Sequence, residues 1–103
     1  MVELLAVRAR RRESLGVLQA ARAEALFVSA LQASESPSPD QVRRVVATTL
    51  RRVGSRGCAA QTAGEFGDHP DTAAARMTWA LATIRTVYPT TAARPLRRLA
   101  LAS

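Results

Sequence analysis

The stretch from Arg56 to Arg85 constrains the fold of this chain most, because glycine and proline break it into two pieces of helical length. The first piece runs from about Arg56 or Cys58 to Phe66 and is rich in alanine, which loses no side-chain entropy in a helix. Gly67 is expected to end it at positive φ and to open a turn over residues 67–69. Pro70 then suits the first position of a second helix. The stretch therefore predicts two helices joined by a tight turn.

A third helix is predicted immediately before this stretch. Ser38 is expected to be its N-cap, Pro39 its first residue and Gln41 the partner in a capping box. The helix should stop near Gly54, with Gly57 marking the next turn. At 100° per residue its apolar face consists of Val42, Val45, Val46, Leu50 and Val53. The opposite half of the helical wheel consists of Arg43, Arg44, Arg51 and Arg52.

The N-terminal part predicts a long helix with a basic arm, here grouped as residues 1–36. Over residues 14–33 the apolar side chains recur at three- and four-residue steps: Leu15, Leu18, Ala21, Ala25, Val28 and Leu31. Leu26 and Phe27 widen this stripe. A helix running unbroken from Val2 to Ala33 would exceed what a three-helix core covers, which favours a homodimer through this helix. The serines and prolines of residues 34–39 predict a break.

The last helix is expected to run from Pro70 to about Val87, because Pro89 disfavours helix in the residue before it. Its core face is predicted to be Ala73, Met77, Leu81, Ile84 and Tyr88. Trp79 lies beside that stripe and either packs on the N-terminal helix or anchors a partner protein. Residues 90–103 form a basic tail that is expected to be disordered or loosely attached. No strand-like alternation is present, so the chain is predicted to be all-α, a small helical bundle.

Charge and composition limit the functional classes. The net charge is +7 and all 15 basic residues are arginine, a composition typical of GC-rich, actinobacterial-type genomes. The charge is uneven: +5 falls within residues 41–57, which favours an anionic partner such as DNA. Cys58 is the only cysteine and His69 the only histidine, so no metal set, cofactor site or catalytic constellation is predicted. Without a signal sequence or a membrane-spanning run, we expect a cytoplasmic protein that is not an enzyme.

The turn region resembles a known DNA-binding unit. Its pattern is an apolar residue followed by Gly67, two turn residues, Pro70 and Thr72, a spacing similar to sigma-factor region 4 and response-regulator output domains. The matching positions are Ala63, Phe66, Gly67, Pro70, Thr72, Ala73, Met77 and Ala80. The resemblance implies a three-helix, helix-turn-helix-like unit over residues 37–89, whose last helix would lie at the major groove.

DNA binding as a small regulator or nucleoid-associated protein is therefore the first functional hypothesis. Phosphate contacts would come from Arg43, Arg44, Arg51, Arg52 and Arg56. The groove-facing candidates are His69, Thr72, Ala74, Ala75, Arg76 and Thr78, whose mostly non-donating side chains imply low sequence specificity. The alternative is a helical adaptor that binds a protein, perhaps of the transcription machinery, without touching DNA. Its candidate interface residues are Leu18, Phe27, Leu31 and Trp79.

Overall fold

A computed structural model describes residues 16–89, and this part of the chain is entirely helical. Helix α1 covers residues 16–28, a single 3-10 turn covers Ala33–Glu35, and three longer helices follow. These are α2 at Pro39–Arg52, α3 at Gly54–Asp68 and α4 at Pro70–Val87. The all-α prediction is confirmed for these residues. The predicted basic arm and the tail at residues 90–103 lie outside them.

The start of α2 follows from local side-chain chemistry, as predicted. The backbone N–H of Gln41 donates to the Ser38 hydroxyl at 3.2 Å, and the Ser38 N–H donates to the Gln41 side-chain carbonyl at 2.8 Å. Two N–H groups that a helix start leaves unpaired are thereby satisfied. Pro39 occupies the first helical position, where its missing N–H costs nothing.

The junction between α2 and α3 is made by Gly54, whose φ of 79° lies in the left-handed region that favours glycine. Val53 ends α2, and α3 begins at Gly54 itself. The expectation that Gly57 marks this turn was wrong, because Gly57 lies inside α3. Helix α3 is consequently longer than the predicted span, which began at about Arg56 or Cys58 and ended at Phe66.

The junction between α3 and α4 also differs from the prediction. Gly67 does not adopt positive φ; it lies inside α3, and His69 is the single residue between the two helices. The cause is Pro70, which lacks an N–H and pushes the residue before it out of the α region. His69 accordingly has φ −139° and ψ 66°, and its N–H still donates to the Glu65 carbonyl at 2.7 Å. Proline, not glycine, makes this break.

Helix α1 packs antiparallel to α4 and closes the core with its last turn. Near its start the Gln19 amide donates to the Tyr88 carbonyl at 2.8 Å, and at its end Phe27 meets Arg76. Its buried residues are Ala23, Ala25, Leu26 and Phe27. Of the predicted stripe, Ala25, Leu26 and Phe27 are buried, and Val28 and Leu31 pack against the core. Two expectations were wrong: Leu18 is 42% exposed, and the helix ends at residue 28 instead of continuing to Ala33.

The rest of the core comes from one side of each longer helix. Helix α4 has the predicted bounds, and Ala73 and Ile84 of its predicted face are buried, whereas Met77, Leu81 and Tyr88 are only partly buried. Ala80 of the same helix is fully buried. The remaining buried residues are Val42, Val46, Cys58, Thr62 and Val87. None of the helices at residues 16–89 is long and apolar enough to cross a membrane.

Candidate nucleic-acid interface

The arginine face consists of four residues of α2 and one of α3, and every one of them is exposed. Its members are Arg43, Arg44, Arg51, Arg52 and Arg56. Arg44 and Arg51 point in nearly the same direction because seven residues are close to two helical turns, and they lie about 10 Å apart along the helix axis. The arginine face therefore presents two positive positions along one line of the helix surface.

Only one arginine of the arginine face forms an ion pair with a carboxylate of the described chain. The Arg43 guanidinium donates to the Asp40 carboxylate at 2.9 Å, and this is the one ion pair formed within residues 16–89. Both side chains are largely exposed, so the pair stabilises the fold by about 0–1 kcal/mol at most and a phosphate can displace the carboxylate. The other four arginines meet no carboxylate of the described chain at ion-pair distance.

The outward side of α4 is open but has little hydrogen-bonding capacity. The exposed candidates there are His69, Thr72, Ala74, Ala75 and Thr78. The Thr72 hydroxyl donates to the His69 carbonyl at 3.2 Å, and the Thr78 hydroxyl donates to the Ala74 carbonyl at 3.0 Å. Their donors are therefore already used by the helix itself, which leaves mainly methyl groups to meet a base edge.

Three exposed carboxylates surround the start of α4: Glu65 and Asp68 at the end of α3, and Asp71 in the first turn of α4. A negative charge at this position complements the helix dipole. It would also repel a phosphate backbone that approached the same helix end. In the described part of the chain, the exposed arginines of α2 would therefore attract phosphate, and the carboxylates where α3 meets α4 would repel it.

Arg76 is not available to face a DNA groove, contrary to the sequence-based expectation. Its Nε donates to the Phe27 carbonyl at 2.7 Å, and one terminal nitrogen donates to three more carbonyls. These acceptors are Leu26 at 3.3 Å, Ser29 at 2.9 Å and Leu31 at 2.9 Å. The guanidinium thus caps the C-terminal end of α1, and partial burial lowers the pKa of Arg76 from its usual value.

The residues expected at a protein interface divide into two groups. Phe27 is buried and its ring stacks on Phe66 with centroids 5.9 Å apart, while Trp79 is partly buried with the Arg76 guanidinium 5.1 Å from its ring centre. Trp79 therefore packs within the molecule, and Leu31 is likewise partly buried against the core. Only Leu18 remains exposed among the predicted set.

Two grooves flank the end of α1, and they carry opposite charges. The basic groove has Arg44 and Arg52 on its rim above Val45 and Val53. The acidic groove has Glu65 and Asp68 on its rim. Its floor is formed by Phe27 and Ala73, and Arg76 also lines it while donating to the α1 carbonyls. Val28 and Gln61 line both grooves, so these two residues form a shared wall.

Cys58 is the one titratable core residue of the described part with a raised pKa. Burial, aided by the charge of Glu24, raises the pKa of its thiol above the ordinary value, so the buried thiol is neutral at pH 7. The Thr62 hydroxyl donates to the Cys58 carbonyl at 2.8 Å and is thereby satisfied within the helix. Residues 16–89 contain no group of three or more His, Cys, Asp or Glu side chains that could hold a metal ion.

Sequence reasoning missed the role of Arg76 and the pair of grooves. The role of Arg76 depends on contacts between residues 45 to 50 positions apart. The grooves combine residues such as Val28 and Gln61, which belong to different helices. Periodicity within one helix reveals neither. One signal was present: Arg76 is the only basic residue in the first four turns of α4, on the side that carries the core residues.

Comparison with protein-family models, with curated proteins and with solved structures finds no match for this chain.

Proposed function

We propose that this protein binds duplex DNA through the arginine face of α2, with affinity for phosphates and little preference for base sequence. The observation that carries the proposal is the set of five exposed arginines within residues 43–56, of which only Arg43 meets a carboxylate in the described chain. Arginine is suited to phosphate because its planar guanidinium offers two parallel donors. Contacts of this kind give affinity without reading sequence.

Helix α2, not α4, is the DNA-contacting element in this proposal. The resemblance to helix-turn-helix domains would place α4 at the major groove, with Thr72, Ala74, Ala75 and Thr78 outward. The two threonine hydroxyls donate to backbone carbonyls, and three carboxylates surround the helix start. These features disfavour a base-reading role for α4 and support low sequence specificity.

A salt titration of binding tests the proposal. Fluorescence anisotropy with a random-sequence duplex should show binding that weakens steeply with salt, because each neutralised phosphate releases counterions. Four phosphate contacts predict a loss of roughly a hundredfold in affinity between about 50 and 200 mM salt. Duplexes of unrelated sequence should bind within about tenfold of one another, far below the discrimination of sequence-specific proteins. Absence of binding at the lower salt concentration, or binding that ignores salt, refutes the proposal.

The second candidate is the adaptor, and one observation favours it. Val17 is 70% exposed and Leu18 is 42% exposed, so two adjacent large apolar side chains of α1 face solvent. A contiguous exposed apolar patch marks a protein-interaction surface, and these two side chains would form part of one. Binding through them would change little with salt. Replacing both with glutamine would abolish it while leaving DNA affinity unchanged, which separates the two functions.

A further inference from the structure

The basic and acidic grooves form one surface whose charge pattern is self-complementary. Arg44 and Arg52 stand on one side of the wall formed by Val28 and Gln61, and Glu65 and Asp68 stand on the other. Each groove also has an apolar floor. Arg76 also lines the acidic groove, but its guanidinium donates to backbone carbonyls of the same chain. The carboxylates of Glu65 and Asp68 are therefore the free charges of that groove, and the surface is positive on one side of the shared wall and negative on the other.

We propose that two copies of this chain associate through this surface in a two-fold symmetric dimer. A two-fold axis lying along the shared wall sets the basic groove of one copy against the acidic groove of the other. The same rotation creates the reverse contact at once, as an isologous interface requires. Four arginines would then face four carboxylates, and the two Val28 side chains would meet near the axis.

A second copy is the occupant that the charges favour. A purely acidic partner would match the basic groove but would be repelled by Glu65 and Asp68, and a purely basic partner would meet the reverse problem. Only a partner carrying both signs in the opposite order matches both grooves, and the chain itself carries that pattern. Complementary charges fix register and partner choice more than they add affinity, so the dimer is expected to be weak and sensitive to salt.

This interface differs from the homodimer through the N-terminal helix that the sequence suggests, because it uses the C-terminal end of α1 together with α2, α3 and α4. Dimerisation and DNA binding would both use Arg44 and Arg52 and would therefore compete for these side chains, so the dimer is tested in the absence of DNA.

Sedimentation equilibrium of the full chain without DNA tests the dimer. The wild-type protein should show a monomer–dimer equilibrium that stops at the dimer and weakens as salt is added. Arg44→Glu with Arg52→Glu makes both grooves acidic, and Glu65→Arg with Asp68→Arg makes both basic. Each double variant should lose at least about a hundredfold in dimerisation constant, since like charges then meet at two symmetric sites.

Mixing the two double variants is the decisive step. Each should be monomeric alone, yet the equimolar mixture should form a heterodimer, because an all-acidic surface then meets an all-basic one. The matched control is Arg85→Glu, which changes an exposed charge outside both grooves and should dimerise like the wild type. If a reversal impairs folding, judged by circular dichroism, the glutamine variants at the same four positions replace it and should also weaken the dimer.

Four results would overturn the proposal. They are a wild-type monomer up to millimolar concentration, a dimer indifferent to both reversals, a ladder of larger oligomers, and a mixture that stays monomeric. Indifference would place the dimer contact on another face, and a ladder would indicate a head-to-tail arrangement without two-fold closure.

Discussion

Replacing Arg76 with methionine is expected to destabilise the fold more than any other change of an arginine among residues 16–89. The guanidinium donates to four carbonyls at the end of α1, at distances from 2.7 to 3.3 Å. It also lies 5.1 Å from the ring centre of Trp79 and 5.9 Å from that of Phe27. Methionine keeps the unbranched, flexible stem and removes every one of these interactions.

The magnitude follows from the hydrogen bonds. A bond to a charged donor contributes about 1.5–3 kcal/mol, and a carbonyl left unsatisfied in a buried site costs about 1–3 kcal/mol. The site is only partly buried, so water replaces some of the bonds, and burial of the charge, which lowers the pKa of Arg76, offsets part of the gain. We therefore expect a loss of about 2–4 kcal/mol in the free energy of unfolding for Arg76→Met.

Urea unfolding followed by circular dichroism measures this loss, and for a domain of this size it corresponds to a fall in Tm of about 10–25 °C. Arg76→Lys should lose less, because an ammonium keeps the charge but cannot reproduce the planar fork that meets several carbonyls. Arg85→Met on the exposed side of the same helix is the control and should stay within about 0.5 kcal/mol of wild type. An Arg76→Met protein as stable as this control would refute the capping role.

Two further predictions concern the helix junctions and the core. Gly54→Ala should lower the free energy of unfolding by about 1–2 kcal/mol, because alanine is strained at the φ of 79°. Gly64→Ala should raise it by up to about 1 kcal/mol, because this glycine lies inside α3 and nothing lies within 4 Å of the added Cβ. Equal effects of the two variants in urea unfolding would contradict the turn assigned to Gly54. The raised pKa of Cys58 predicts that stability depends on pH in the alkaline range. The contribution of Cys58 to the free energy of unfolding should be constant below the unfolded-state pKa of about 8.5. Above that pH it should fall by up to about 1.4 kcal/mol per pH unit, because only the unfolded chain then releases the thiol proton. Cys58→Ala should remove this component of the pH profile, and an unchanged profile would show that the thiol ionises equally in both states.

The elements that the sequence predicts correctly are those set by neighbouring residues. The start of α2 depends on Ser38, Pro39 and Gln41, which interact within one helical turn. The bounds of α4 depend on Pro70 and Pro89, whose rings restrict the backbone whatever the tertiary context.

The features that the sequence mispredicts depend on competition or on distant contacts. Gly67 and Gly57 were both expected to make turns, but glycine only permits positive φ, and Pro70 and Gly54 determine where the chain leaves the helix. Arg76 was expected to face DNA because α4 resembles a reading helix. Its contacts with the end of α1 come from residues that only the tertiary fold brings together.

The candidate interface likewise has one feature that the sequence predicts and one that it does not. The exposure of Arg44 and Arg51 follows from the amphipathic period of α2 and was predictable. The opposed grooves were not, because Val28 belongs to α1 and Gln61 to α3, and these residues become neighbours only when α1 packs on the three longer helices.

The salt dependence of DNA affinity, compared between two neutral variants, tests the central claim most directly. Arg44→Gln with Arg51→Gln removes two phosphate contacts, so the slope of log affinity against log salt should become shallower by about two. Arg85→Gln, which removes an exposed arginine outside the arginine face, should leave the slope unchanged. An equal slope for the wild type and the double variant would contradict the account, because it would show that the arginine face of α2 does not contact phosphate.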